Sequence, residues 1–160
     1  MELNPYEKFL GDGDPIPVLF TTSGRLQTLL APLSSEVIEA EPAPGKWSIR
    51  EIVAHLADCE LVFGYRLRQT LAQTHAMIQP FDQDMWAQRY GAYDIASAVG
   101  MFVATRNWNL KLLGTVSETD QHRPTTHPER GTMIFWTIVE TMAGHDINHL
   151  QQIERLADDE

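Results

Sequence analysis

Two histidines four residues apart, His145 and His149, stand in the stretch ETMAGHDINHLQQIERL near the end of the chain. Residues at i and i+4 of a helix share a face, so both imidazoles can turn a ring nitrogen toward one ion. They belong to a stripe of Phe135, Ile138, Met142, His145, His149, Ile153 and Leu156, spaced by three or four. At about 100° per residue these positions form one arc, and the imidazoles interrupt its apolar run. Two chemistries suit such a pair: ligation of a metal, or hydrogen bonding of neutral histidines across a core. A third histidine, His55, lies on the flank of an apolar arc made by Ile49, Val53, Leu56, Phe63 and Leu67. That position sits beside a neighbouring helix rather than in open water. Three neutral imidazoles from two helices would make an open His₃ site, with places left for water or substrate, as in catalytic zinc centres. His75, His122 and His127 fall in loops and read as solvated.

Other reactive side chains cluster near these histidines in sequence. Cys59 is one turn past His55 and reads as a small buried hydrophobe packed beneath the site, with metal ligation as the alternative. Glu60 and Asp146 project onto the interior arcs of their helices. A buried carboxylate must be paired, hydrogen-bonded or raised in pKa. The candidate roles of both are therefore orienting a ligand histidine, acting as general base beside bound water, or leaning outward at a helix seam. Gln152, one turn beyond His149, can support that ring through its amide. Arg106, between Val103 and Leu110, can pair with an acidic neighbour or meet an anionic substrate group.

The elements that must position these groups are helical. Glycine and proline cluster at GDGDPIP, PAPGKW and HRPTTHPERG, and few stretches alternate in the manner of strands. Helix one covers about Ile16 to Leu30, with Leu19, Phe20, Leu26, Leu29 and Leu30 as apolar contributors. Helix two starts at a capping box of Ser48 and Glu51, stapled by Trp47 and Ile52, and runs to about Leu71. A long connection follows, with a short helix near Asp82 to Gln88; its Trp86 and Tyr90 can wall a pocket or cap the bundle end. Helix three begins at the cap residue Asp94 and ends near Gly114. Helix four is capped by Thr132 and runs to Ala157, and the acidic tail ADDE favours fraying. The fold expected is an all-α, up-and-down-like four-helix bundle, one domain over residues 1–160 with its core at about 16–157.

Composition narrows the function classes. The chain carries 12 basic and 22 acidic residues, a formal net charge of −10, with no basic stripe, which argues against nucleic acid as partner. No apolar run approaches a membrane span, and MELNPYEKFLGDGDP lacks the features of a signal peptide. The one cysteine excludes an intramolecular disulfide. A cytoplasmic protein acting on a small molecule is expected.

GKWSIREIVAHLAD, followed about 90 residues later by GHDINHLQQI, resembles the DinB/YfiT-like superfamily of small metal-binding bundles. The matching positions are Trp47, Ser48, His55, His145, His149 and Gln152, and HPERGTM is similar to the family's lead-in to its last helix. The resemblance spans about Leu29 to Leu156. It implies a divalent metal, zinc or nickel, held by His55, His145 and His149. It also implies one of two chemistries, hydrolysis or transfer and isomerisation with a low-molecular-weight thiol, and pairing into homodimers. The alternative is a non-catalytic, stress-related bundle that binds metal or ligand.

Overall fold

The structure, a computed structural model, describes residues 3–158. Its elements in order are α1 (Glu7–Leu10), α2 (Pro15–Leu30), α3 (Ser35–Glu39), α4 (Ile49–Ala72), β1 (Ala76–Met77) and α5 (Gln83–Ala87). A 3₁₀ turn (Tyr90–Ala92), α6 (Ile95–Leu113), α7 (Glu118–Gln121), β2 (Pro124–His127), β3 (Gly131–Ile134) and α8 (Phe135–Asp158) complete it. Local chemistry sets the starts of the long helices. Asp14 accepts the Ile16 N–H at 2.9 Å ahead of Pro15, whose missing N–H costs nothing in the first turn. Ser48 and Glu51 form the expected reciprocal box, at 3.3 and 3.0 Å. Asp94 accepts the Ser97 N–H at 2.8 Å.

Helix four begins differently from the expectation. Thr132 caps nothing: it lies in β3 opposite Thr126, with the two hydroxyls 2.8 Å apart. β2 and β3 form a hairpin closed by Pro128, Glu129 and Arg130, and Gly131 takes φ +93°, a conformation that suits glycine. α8 then emerges directly from β3. β1 adds to β2 in parallel, through Ala76↔Thr125 and Met77↔Thr126. Strands of two to four residues are too short to register as alternation in sequence. Within α2, Phe20 turns outward and is 73% exposed, so it contributes nothing to the core. Of the ADDE tail expected to fray, Ala157 and Asp158 are still helical at the end of α8, and Asp159 and Glu160 lie outside the described residues. Among the described residues no helix is long and apolar enough to cross a membrane.

The bundle order departs from a plain up-and-down ring. α4 packs closely on α6 and α8, and α2 packs on the same two, so α2 and α4 sit diagonally although they follow one another among the long helices. Two apolar clusters show the directions. One gathers Leu26, Ile52, Leu56, Phe102, Leu150 and Ile153; the other gathers Leu19, Phe63, Leu67, Leu113, Ile138 and Met142. α4 and α6 pass from the first cluster to the second, whereas α2 and α8 pass the opposite way. Parallel neighbours such as α4 and α6 need a connection that returns along the bundle, and the segment carrying β1, α5 and the 3₁₀ turn provides it.

Between the two clusters lies a buried polar layer. Its anchor is Arg106 on α6, 1% exposed. The guanidinium donates to Asp146 Oδ2 at 2.6 Å and Oδ1 at 3.0 Å, to Glu60 Oε2 at 2.7 Å, and to the Leu19 carbonyl at 3.1 Å. Asn109 donates to the other Glu60 oxygen at 2.7 Å. A buried pair gains little over an apolar substitute, but removal of one partner strands the other charge. Arg106→Met is therefore expected to destabilise the protein by about 3–5 kcal/mol in urea unfolding, because it leaves two carboxylates buried without a cation. Arg25→Ala, which breaks a surface pair with Glu154, is expected to stay within about 1 kcal/mol. Equal effects of the two substitutions would contradict this account.

Candidate metal centre

The polar layer also holds the three histidines. His55 comes from α4, and His145 and His149 from successive turns of α8; they are 1%, 3% and 7% exposed. Their ring centroids are 5.1 Å apart for His55 and His145, 4.9 Å for His55 and His149, and 4.4 Å for His145 and His149. The Nε2 atoms of His55 and His145 face each other at 3.1 Å. Cys59 joins two of them: one donor atom from each of His55, Cys59 and His145 lies within 4.8 Å of the others, a group that does not include His149, which approaches through its ring at the centroid distances above. Its sulfur is 3.4 Å from His55 Nε2 and 3.7 Å from Nδ1, so it rests against the ring rather than along one lone pair.

The surroundings orient two of the rings. Gln152 Oε1 is 3.0 Å from His149 Nδ1; an amide oxygen only accepts, so Nδ1 carries the proton and Nε2 keeps its lone pair. His55 Nδ1 faces the Tyr90 hydroxyl at 3.4 Å, and burial and then the Asp58 charge push the pKa of that hydroxyl up. Trp47 lies over His55 at 4.8 Å between centroids, and Tyr6 and Phe63 meet His145 at 5.0 and 5.8 Å. All three imidazoles are held neutral. Burial, then His149, pushes His55 down to about 3. Burial and the other two histidines push His145 well down, and burial lowers His149 against the opposing pull of Gln152 and Asp146.

These residues suit a cation. Two nitrogens about 2.0–2.1 Å from one ion, at angles of about 90–109°, stand roughly 2.8–3.4 Å apart, and the 3.1 Å between His55 and His145 falls inside that interval. Unprotonated imidazoles are the form that ligates. The layer also carries two formal negative charges, Glu60 and Asp146, against one positive, Arg106.

The profile of the DinB superfamily matches residues 21–153. The chain belongs to the DinB superfamily. A DinB relative in Oceanobacillus iheyensis, provisionally named a metal-dependent hydrolase, is 27% identical over 134 residues, covering 82% of this chain and 77% of that protein. YfiT of Bacillus subtilis, with a similar provisional name, is 22% identical over 149 residues, covering 88% and 82%. The solved YfiT structure, described as a four-helix bundle of unusual topology, superposes with a TM-score of 0.82 over 91% of this chain and 85% of that one, at 21% identity.

Several residues stand elsewhere than their sequence suggests. Glu60 and Asp146 are not free bases beside the histidines: Arg106 and Asn109 engage all four of their oxygens, and among the described residues no hydrogen bond joins either to the three rings. Arg106, correspondingly, pairs with acidic neighbours and offers nothing to a substrate. His127 is buried at the end of β2 rather than solvated in a loop, whereas His75 and His122 are exposed. Tyr6 and Asp58 carry no sequence signal for the site, and Tyr90, read only as a pocket wall or bundle cap, meets His55 through its hydroxyl. Tyr90 lies in a short 3₁₀ turn and Tyr6 in the N-terminal segment, where no periodicity points a side chain inward. Trp86 packs on Phe81 near the surface, away from the histidines.

Two outcomes follow from this geometry. Each histidine has a folded-state pKa below its ordinary value, so on acidification the unfolded chain takes up protons that the folded chain refuses. The urea midpoint of metal-free protein is expected to be highest above pH 6.5 and to fall steadily toward pH 4, on the way to the His55 value of about 3. A midpoint constant across that range would contradict the neutral assignment. The N-terminal segment presses on α8 where Gly144 lacks a side chain; a Cβ there would lie 2.5 Å from the Tyr6 carbonyl oxygen. Gly144→Ala is expected to displace that segment, costing about 1–3 kcal/mol. Diethyl pyrocarbonate should then modify His145 faster, and an unchanged rate would show that Tyr6 does not shield it.

Proposed function

We propose that this chain is a metal-dependent hydrolase of a small molecule, with His55, His145 and His149 holding a divalent cation. The observation that carries the reading is the meeting of three neutral imidazoles beside a cavity of about 290 Å³ that His145 and Cys59 help to line. The provisional names of its relatives support hydrolysis. Imidazole donors suit zinc and nickel alike. A cytoplasmic setting agrees with a single, buried thiol.

A divalent ion bound there supplies Lewis acidity, acidifying water or a thiol and polarising a substrate. The chain's own part is preparation. Gln152 keeps the His149 proton on Nδ1 so that its Nε2 is free to ligate, and the Tyr90 hydroxyl steadies the His55 ring at Nδ1. Tyr6, Trp47 and Phe63 keep water from the rings, so charge in the site acts through a low dielectric. The Cys59 thiol stays protonated, pushed up by burial and then by Asp58, and packs on His55 rather than serving as nucleophile. Glu60 and Asp146 remain committed to Arg106 and take no proton from the reaction.

Elemental analysis of the purified protein is expected to find one divalent ion per chain. The ion should vanish in the His55→Ala, His145→Ala, His149→Ala triple variant and persist in Cys59→Ala. Metal-loaded protein should hydrolyse members of a panel of small esters, amides and phosphoesters, and the triple variant should fall to background. Turnover only when a low-molecular-weight thiol is supplied with an electrophile would replace hydrolysis by thiol transfer. Metal retained by the triple variant would overturn the site itself.

A further inference from the structure

The cavity next to His145 has a second wall of a different character. Besides Cys59 and His145 it is lined by Arg66, His127 and Arg130. Arg66 projects from α4, two turns beyond Cys59, and is 9% exposed. One of its amino groups donates to the Gln79 carbonyl at 2.6 Å, while its Nε is buried without a partner. Arg130 sits at the tip of the β2–β3 hairpin, whose turn is tied by the Arg130 N–H to the His127 carbonyl at 3.2 Å.

Neither arginine is neutralised by a carboxylate among the described residues. Among the described residues, Arg25, Arg50, Arg106 and Arg123 each have a carboxylate within salt-bridge distance, but Arg66 and Arg130 have none. Glu129, the one carboxylate among the described residues lining the cavity, lies beyond that distance from both. The two cations also feel each other: burial, then Arg130, lowers Arg66 to about 10. A guanidinium taken from water without a counter-charge is costly, and this chain has a formal charge of −10 from which a carboxylate could have been supplied. His127 adds a neutral donor. Its Nδ1 accepts the Glu129 N–H at 3.2 Å, so Nε2 carries the proton.

We propose that Arg66, Arg130 and His127 form a binding site for an anionic group, a carboxylate or a phosphate, on the substrate, holding it in the cavity that His145 and Cys59 line. The word substrate rests on the hydrolase reading; the anion site stands on two guanidiniums without a carboxylate partner among the described residues. Their planar forks match either anion through paired N–H donors. A cavity of about 290 Å³ admits only a small molecule, whose anionic end against the arginines would set its other end toward the histidines.

Calorimetric titration of the full chain with inorganic phosphate and with succinate tests this. At least one of the two should bind, and the tighter one identifies the class of anionic group. Affinity should weaken at least 10-fold in Arg130→Gln and in Arg66→Met, and should weaken with added salt. Arg25→Gln, a surface change, should leave it alone. The same titration on His149→Ala separates this inference from the metal reading: binding there should persist. Failure of both anions to bind the unsubstituted chain would overturn the proposal. So would affinity that survives Arg130→Gln while being lost in His149→Ala, because the anion would then sit on the cation. Should Arg66→Met fail to fold, Arg130→Gln, on a partly exposed hairpin tip, decides the matter alone.

Discussion

The Arg106 guanidinium touches all four long helices at once. It belongs to α6, binds Glu60 on α4 and Asp146 on α8, and donates to the Leu19 carbonyl on α2. Asp146 follows His145 directly, and Glu60 follows Cys59 directly, so the contact that joins α4 to α8 lies one residue from two of the donor groups. A shift of either helix by a turn, about 5.4 Å, would separate the carboxylates from the guanidinium and His55 from His145 together. The ionic contact thus sets the register on which convergence of the imidazoles depends. This is the use of a buried ion pair that physical chemistry best supports: specification of one arrangement rather than added stability.

The same layer shows how one residue type takes opposite roles by environment. Arg106 is surrounded by two carboxylates and an amide, and its charge is spent on structure. Arg66 and Arg130 line a cavity, with no carboxylate among the described residues within salt-bridge distance of either. The carboxylates divide likewise. Those in the core are locked to a cation, leaving neutral nitrogen and sulfur groups to face the putting-together of α4 and α8. The result is a site assembled from groups that cost little to bury unprotonated, supported by an ionic cluster in which all four carboxylate oxygens are engaged.

Much of this was legible in the residues. The stripe from Phe135 to Leu156 places His145 and His149 inside because a helical period has only one buried arc there, and the Ser48–Glu51 box marks the start of α4 to the residue. The convergence of His55 with that pair was the expectation that the DinB/YfiT-like resemblance carried. What could not be read depends on contacts distant in sequence. Glu60 and Asp146 lie on inward arcs, as projected, but their partner is 46 and 40 residues away, and no local pattern names it. Tyr90 reaches His55 from an irregular segment, and Tyr6 reaches His145 only because Gly144 permits close backbone approach. The parallel course of α4 and α6 was hidden too, since helix length and loop length do not encode direction. His127 looked like a loop residue because a four-residue strand leaves no periodic trace.

The central claim is that three imidazoles from two helices share one cation. Diffraction recorded on either side of a metal absorption edge, from crystals of the purified protein, tests it most directly. A single anomalous peak bounded by ring nitrogens of His55, His145 and His149 is the predicted result. A peak bound elsewhere on the chain, with those three rings hydrogen-bonded only to one another and to Cys59, would contradict it.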